Sequence, residues 1–169
     1  VGNRSRMGVG LVPRHLIVVG GSYAGVEFAQ IYRRCGAEVT VCEMGPRLIS
    51  REGEDVSDEG RAILEREGIA VRTGATCLAV EQRDGGISVG VACDSGVPKI
   101  VGSHLLVATG RTPNAHDLGL EHAGIAVDAR GFITVNDKLE TNVAGVYALG
   151  DVNGRGAFTH TSWNDFEIV

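Results

Sequence analysis

Cysteine is scarce and unpaired in this sequence: four residues in 169, at Cys35, Cys42, Cys77 and Cys93. No two stand as C-x-x-C and none joins a histidine at zinc-ligand spacing, which excludes a disulfide scaffold and a structural zinc module. Cys42 lies inside an apolar run, and Cys35 and Cys93 read as packing or surface thiols. This usage fits a reducing, cytoplasmic setting. Basic excess is missing too. Sixteen Lys and Arg face 21 Asp and Glu, a net charge of −5, which argues against nucleic acid or an anionic membrane surface as the main partner. No stretch approaches the ~18 consecutive apolar residues of a membrane span, and the N-terminus has no apolar signal segment. Prolines number four, too few for a Pro/Gly linker. No metal site is expected: the run from Asp151 to Gly156 starts like a calcium loop, but Arg155 and Ser162 stand where oxygen ligands and a bidentate acid are required.

Glycine is what the chain has in excess, 25 residues, close to twice the roughly 7% average usage. Without a Gly-X-Y period this is not collagen. It points to tight turns and to places where backbone approaches a ligand. Apolar residues at 43% and charged residues at 22% describe a globular chain, long enough for one domain, or one domain with part of another.

Residues 1–13 are Gly-rich and irregular and read as a leader. His15–Val19 (HLIVV) is a short apolar β-branched run, as in a buried parallel strand. GGSYAG follows, then a helical pattern with Val26, Ala29 and Ile31, stopped by Gly36. Glu38–Cys42 predicts a second strand, 55–68 an amphipathic helix with its own glycine stop at Gly68, and Ile69–Val71 a third strand. This β-α-β-α-β order calls for a doubly wound parallel sheet of Rossmann-like α/β class. The pattern then changes to an inserted antiparallel β-meander, with strands at Cys77–Glu81, Gly86–Cys93 and Pro98–Val101 and a hairpin turn at Asp84-Gly85-Gly86. A return to the parallel sheet is expected at His104–Ala108. Further strands are expected at Phe132–Val135 and, from its strongly apolar run, at Val143–Leu149.

Gly20, Gly21, Ser22, Tyr23, Ala24 and Gly25 thus fall between a strand and a helix, where a glycine turn sets a pyrophosphate against a helix N-terminus. The second glycine position of the motif holds Ser22, whose hydroxyl could itself donate to phosphate. Glu43 closes the second strand, 23 residues after Gly20. A carboxylate there accepts hydrogen bonds from both adenosine ribose hydroxyls and repels a 2′-phosphate, favouring NAD(H) over NADP(H). Arg47, a few residues on, works against that preference because a guanidinium pairs with phosphate. A methyltransferase shares these features and stays a distant alternative. A short-chain dehydrogenase does not fit, since none of Tyr23, Tyr32 and Tyr147 has a lysine four residues on.

Three segments in order, GGSYAGVEFA (Gly20–Ala29), LLVATGRTPN (Leu105–Asn114) and TNVAGVYALGD (Thr141–Asp151), resemble the FAD-dependent pyridine nucleotide–disulfide oxidoreductases. The ending looks most like the mercuric-reductase-like branch of that family, near its reductases for reactive chlorine species, and a dihydrolipoamide-dehydrogenase-like character is equally implied. The resemblance implies that Gly20 through Gly25 cradle the NAD(P) pyrophosphate, that Tyr23 lies over the flavin, and that Glu27 faces the nicotinamide end. It also implies that Glu43 holds the adenosine ribose, that the Cys77 backbone lies near adenine and that Gly110 contacts the nicotinamide nucleotide. Asp151 would bind the ribityl chain of FAD.

The family pattern also contains an N-terminal FAD-binding half with its own glycine loop, a redox pair spaced C-x-x-x-x-C, and a C-terminal dimerisation domain with a His–Glu couple. None of these is found in the present residues. The expectation is therefore a piece of a longer, homodimeric enzyme, with no catalytic residue of its own and no turnover alone. A leader would occupy residues 1–13, an NAD(H)-binding domain 14–125 and a return segment of the FAD domain 126–169, poorly anchored from about Gly131 onward or covered there by another copy of the chain. The rival reading is a stand-alone nucleotide-binding or interaction module.

Overall fold

The computed structural model describes residues 10–83, 85–92 and 99–169. The expected leader up to residue 9, Asp84, Cys93 and Pro98 lie outside the described residues. The chain forms two compact units, one ending at Gly110 and one spanning Arg111–Val169. The expected boundary at residue 126 falls inside the second unit.

The first unit is built on a four-stranded parallel sheet: β1 (His15–Val19), β2 (Glu38–Cys42), β3 (Ala70–Arg72) and β7 (His104–Val107), in the order β3-β2-β1-β7. β1 pairs Leu16 with Val39 on one side and with His104 on the other. Side chains alternate across this central strand. Leu16 and Val18, with Val39, Val41 and Leu106, face α1 (Tyr23–Arg34) and α2 (Glu54–Arg66), where Ala29 and Leu64 complete the cluster. Ile17, with Cys42 and Leu105, faces the other way. Burial on both faces is why the strand reads as an unbroken apolar run.

That second face is covered by a three-stranded antiparallel sheet, β4 (Thr76–Arg83), β5 (Gly86–Ala92) and β6 (Lys99–Gly102), in sequence order. Val89, Val91 and Ile100 supply its contact with Ile17. The β4–β5 register closes at Arg83 opposite Gly86, and Gly85 adopts a left-handed φ of +81°. Parallel sheet, helices and meander therefore stand as the sequence predicts, with the meander serving as the covering layer on one side.

Both helices end as their glycines foretell. Ala37 N–H donates to Tyr32 C=O past Gly36, and Ile69 N–H donates to Leu64 C=O past Gly68, each a Schellman closure. Their ends are clamped together: Glu67 accepts from Arg34 Nη2 at 2.7 Å and from Gln30 Nε2 at 2.7 Å. The Arg34 guanidinium holds the Glu67 carboxyl below the usual carboxylate range.

The second unit differs from expectation in its strands. Phe132–Val135 is no strand, because its N–H groups go to separate segments: Ile133 to Val152 C=O and Thr134 to Ala126 C=O, leaving a single bridge to Val127. The apolar run Val143–Leu149 is not a strand either. Val146 N–H donates back to Val143 C=O around Gly145, which has φ +76°, and only Tyr147 bridges, to Glu140. Of this run, Ala148 joins a small core with Ala115 and Ile133, while Tyr147 and Leu149 are exposed. A short 3-10 helix (Gly150–Asn153) and α3 (Thr159–Ile168) complete the unit. The segment from Gly131 onward is thus held by backbone hydrogen bonds and that core.

Candidate functional site

β1 stops at Val19, and the chain turns at once through Gly20, with φ +106°. Gly20 N–H donates to Cys42 C=O at 2.8 Å, and Ala108 N–H donates to Val19 C=O at 2.8 Å, so both neighbouring strands fix the turn. A Cβ on Gly20 would strike the Ala108 carbonyl, and one on Gly25 would overlap the Gly20 carbonyl oxygen. The first glycine makes the turn and the last lets α1 start against it. Between them, Ser22 is exposed and makes no side-chain cap, while its carbonyl accepts Val26 N–H at 3.0 Å. Tyr23 and Ala24 open the helix, whose first turn contains no acidic residue. The positive end of the α1 dipole therefore meets no carboxylate from its own first turn.

Glu43 follows β2 directly. Its Oε2 accepts Gly21 N–H at 2.6 Å and its Oε1 accepts Gly45 N–H at 2.7 Å. A carboxylate offers about four lone-pair positions, so further acceptor capacity remains. Ala75 N–H donates to Glu43 C=O at 2.9 Å, which brings the start of β4 to the same place. Cys77 lies there, its backbone paired with Val91; its side chain is outside the described residues. Gly110, just beyond β7, has φ +142° and open space where a Cβ would stand. Gly20 to Ser22, Glu43 and Gly110 thus follow the carboxyl ends of parallel strands β1, β2 and β7, with Tyr23 to Gly25 opening α1 and the Cys77 backbone in β4, two residues after the Ala75–Glu43 bond. Glu27 is exposed and lies one turn after Tyr23 on the same face of α1.

The segment between β2 and α2 folds against the turn. Ile49 N–H donates to Gly21 C=O at 2.9 Å, buried Leu48 packs where a Gly21 Cβ would be, and Ser57 Oγ donates to Leu48 C=O at 2.7 Å. Ile49 adopts φ +47°, a conformation that costs a β-branched residue about 1–3 kcal/mol. Further along, Tyr23 Oη donates to the Glu52 carboxylate. Sequence reasoning missed Glu52, which stands 29 residues from its partner, beyond any helical or strand spacing.

Asp151 lies in the second unit, on the 3-10 helix, and pairs with Arg111. Its turn is built by a second missed residue, Asp165 of α3. The buried Asp165 Oδ2 accepts Gly150 N–H at 2.8 Å and Asn153 Nδ2 at 2.9 Å, and Asn153 also donates to Ala148 C=O. Asp165→Ala leaves those buried donors unpaired and is expected to destabilise this unit by about 1–3 kcal/mol per donor. A melt followed by the Gly150 amide resonance reads the loss; unchanged stability would show that the carboxylate is dispensable.

Among the described residues, no three His, Cys, Asp or Glu side chains group as a metal site, and no helix is long and apolar enough to cross a membrane.

The model of the pyridine nucleotide-disulphide oxidoreductase family matches residues 2–165. The chain belongs to this family. Among pyridine nucleotide-disulphide oxidoreductases, it is 43% identical over 143 residues to a dihydrolipoyl dehydrogenase of Thermus scotoductus, an alignment covering 83% of this chain and 31% of the relative. It is 35% identical over 158 residues to the probable pyridine nucleotide-disulfide oxidoreductase RclA of Escherichia coli, covering 94% and 35%. The solved copper(II) complex of that organism's HOCl-induced flavoprotein disulfide reductase RclA superposes with a TM-score of 0.91 at 31% identity, over 100% of this chain and 38% of the other. The chain spans about a third of the length of these family members.

Proposed function

We propose that the unit ending at Gly110 is the NAD(H)-binding domain of a flavin-dependent pyridine nucleotide-disulfide oxidoreductase. One observation carries this reading: a glycine turn with no room for a Cβ at Gly20 or Gly25 opens a helix free of first-turn acids, beside a carboxylate at the end of β2. The N–H groups of Ser22, Tyr23 and Ala24 hold the pyrophosphate. Glu43 keeps the loop in shape and accepts the adenosine ribose hydroxyls. The Cys77 backbone borders adenine, Gly110 leaves space for the nicotinamide nucleotide, and Tyr23 and Glu27 face its nicotinamide end. When bound, NADH supplies the hydride that the flavin of the whole enzyme accepts. This chain's own residues bind and orient.

In the second unit, Asp151 takes the ribityl chain of FAD, exchanging its present pairing with Arg111. A negative charge at Glu43 favours NAD(H) over NADP(H), with Arg47 as the opposing group. The flavin and dimerisation domains of a homodimeric parent are the partners this reading requires, and the cysteine pattern favours the cytoplasm.

Calorimetric titration of the 169-residue chain with NADH is expected to show one site, with NADPH binding more weakly. NADPH binding as tight as NADH would confine Glu43 to holding the loop. Failure of both to bind would remove the domain assignment.

A further inference from the structure

The second unit holds a cavity of about 390 Å³ beside its small core. Its walls are apolar: buried Pro113 and Ala115, half-buried Leu120 and Ile125, and the half-exposed Val127. Every lining residue belongs to the span Arg111–Val169, and none to the glycine turn. Small-molecule sites run from about 300 to 1,000 Å³ and combine such walls with a few placed polar groups. An apolar cavity holds water poorly and takes an apolar molecule instead.

The polar groups at this cavity give it a sign. Arg130 borders it, and among the described residues no carboxylate pairs with the guanidinium. That group lies over the Phe132 ring, 5.1 Å from its centroid, a contact that limits its freedom before any ligand arrives. The turn carrying it is fixed as well, since Asp128 Oδ1 accepts Arg130 N–H at 2.8 Å and Phe132 N–H at 2.9 Å. His116 and Thr112 also border the cavity, and His116 has no hydrogen bond or ion pair among the described residues. Glu121, the one acid of the lining, sits 3.5 Å from His122 Nε2.

A guanidinium without an acid matches a carboxylate, which it grips with two parallel hydrogen bonds. A phosphate dianion would find one permanent cation and leave the apolar walls unused. The geometry points to a ligand site for a small carboxylate with a compact apolar body, aromatic or branched. The body lies among Ala115, Leu120 and Ile125, and the charge meets Arg130. This site goes beyond dinucleotide binding and does not depend on it.

The experiment titrates the whole 169-residue chain, its Ile, Leu and Val methyl groups labelled with 13C, with phenylacetate. Acetate and phenylacetamide are the controls: one is the charge without the body, the other the body without the charge. Phenylacetate is expected to shift the Leu120, Ile125 and Val127 methyls saturably, with a dissociation constant of about a millimolar or tighter, as suits a fragment of its size. Each control is expected to bind about tenfold more weakly or not at all. Arg130→Gln is expected to weaken phenylacetate about tenfold and to leave phenylacetamide unchanged. Val127→Trp fills the cavity from its half-exposed wall and is expected to abolish the shifts at Leu120 and Ile125. Circular dichroism shows whether each variant is folded, and the comparison with phenylacetamide tests the charge contact without any variant.

Absence of a saturable shift with phenylacetate overturns the site, and so does a response confined to methyls of the first unit, such as Val18. Phenylacetamide binding as tightly as phenylacetate, or an unaffected Arg130→Gln, removes the charge contact and the proposal with it. Acetate binding as tightly as phenylacetate, or undiminished binding to Val127→Trp, leaves only a surface cation and overturns it equally.

Discussion

Gly25→Val is expected to cost the first unit about 3 kcal/mol and to abolish measurable NADH binding. Any Cβ at Gly25 overlaps the Gly20 carbonyl oxygen, and Gly20 is itself fixed by its hydrogen bond to Cys42 and by contact with Ala108. Neither side can give way: one is the first turn of α1 and the other is the end of the central strand. Overpacking in such a place lies at the top of the usual 1–3 kcal/mol range. Gly90→Ala is the internal comparison. A Cβ at Gly90 would meet Ala79 at 3.8 to 3.9 Å, ordinary van der Waals contact, so its urea midpoint should hardly move. Similar midpoints for the two variants would mean that backbone overlap is not what demands glycine at residue 25.

The second large effect belongs to Glu43→Ala. The side chain accepts Gly21 N–H and Gly45 N–H, so its loss frees two loop donors and removes the acceptor for the ribose. Hydrogen bonds to a charged group are worth about 1.5–3 kcal/mol, which corresponds to roughly ten- to a hundredfold weaker NADH binding. NADPH should lose less, because the repulsion of its 2′-phosphate disappears with the carboxylate. The ratio of the two dissociation constants therefore narrows, and calorimetry reads it directly. A ratio that stays put would locate cofactor choice elsewhere, with Arg47 as the first place to look.

What the sequence made legible follows from how local each signal is. β1, α1, β2 and α2 could be read because their apolar periods are short-range and Gly36 and Gly68 terminate the helices by backbone geometry alone. The glycine turn and Glu43 were legible for the same reason, since strand, turn, helix and acid follow one another along the chain. Val143–Leu149 misled because apolarity was taken for extension. Gly145 bends the run into a tight turn, so Ala148 enters a small core while Tyr147 and Leu149 stay exposed. Helix α3 was not foreseen, for its buried side chain is the polar Asp165 while Trp163 and Phe166 are exposed. Glu52 and Asp165 act across contacts made only after folding, and neither sits at a spacing that announces its partner.

The place of β7 beside β1 carries a kinetic consequence. The central strand finds one neighbour, β2, across a single helix, but its other neighbour only after the entire meander, as the His15–Ser103 bond across 88 residues records. Closing so long a loop comes late in folding. Until then, newly made β1 presents an open edge that is apolar from Leu16 to Val19, the kind that pairs with another molecule's strand. The meander therefore does more than cover a face. Its speed of assembly sets how long the nascent sheet stays adhesive, so substitutions in β5 that slow hairpin closure would lower the yield of folded protein even where final stability is unchanged.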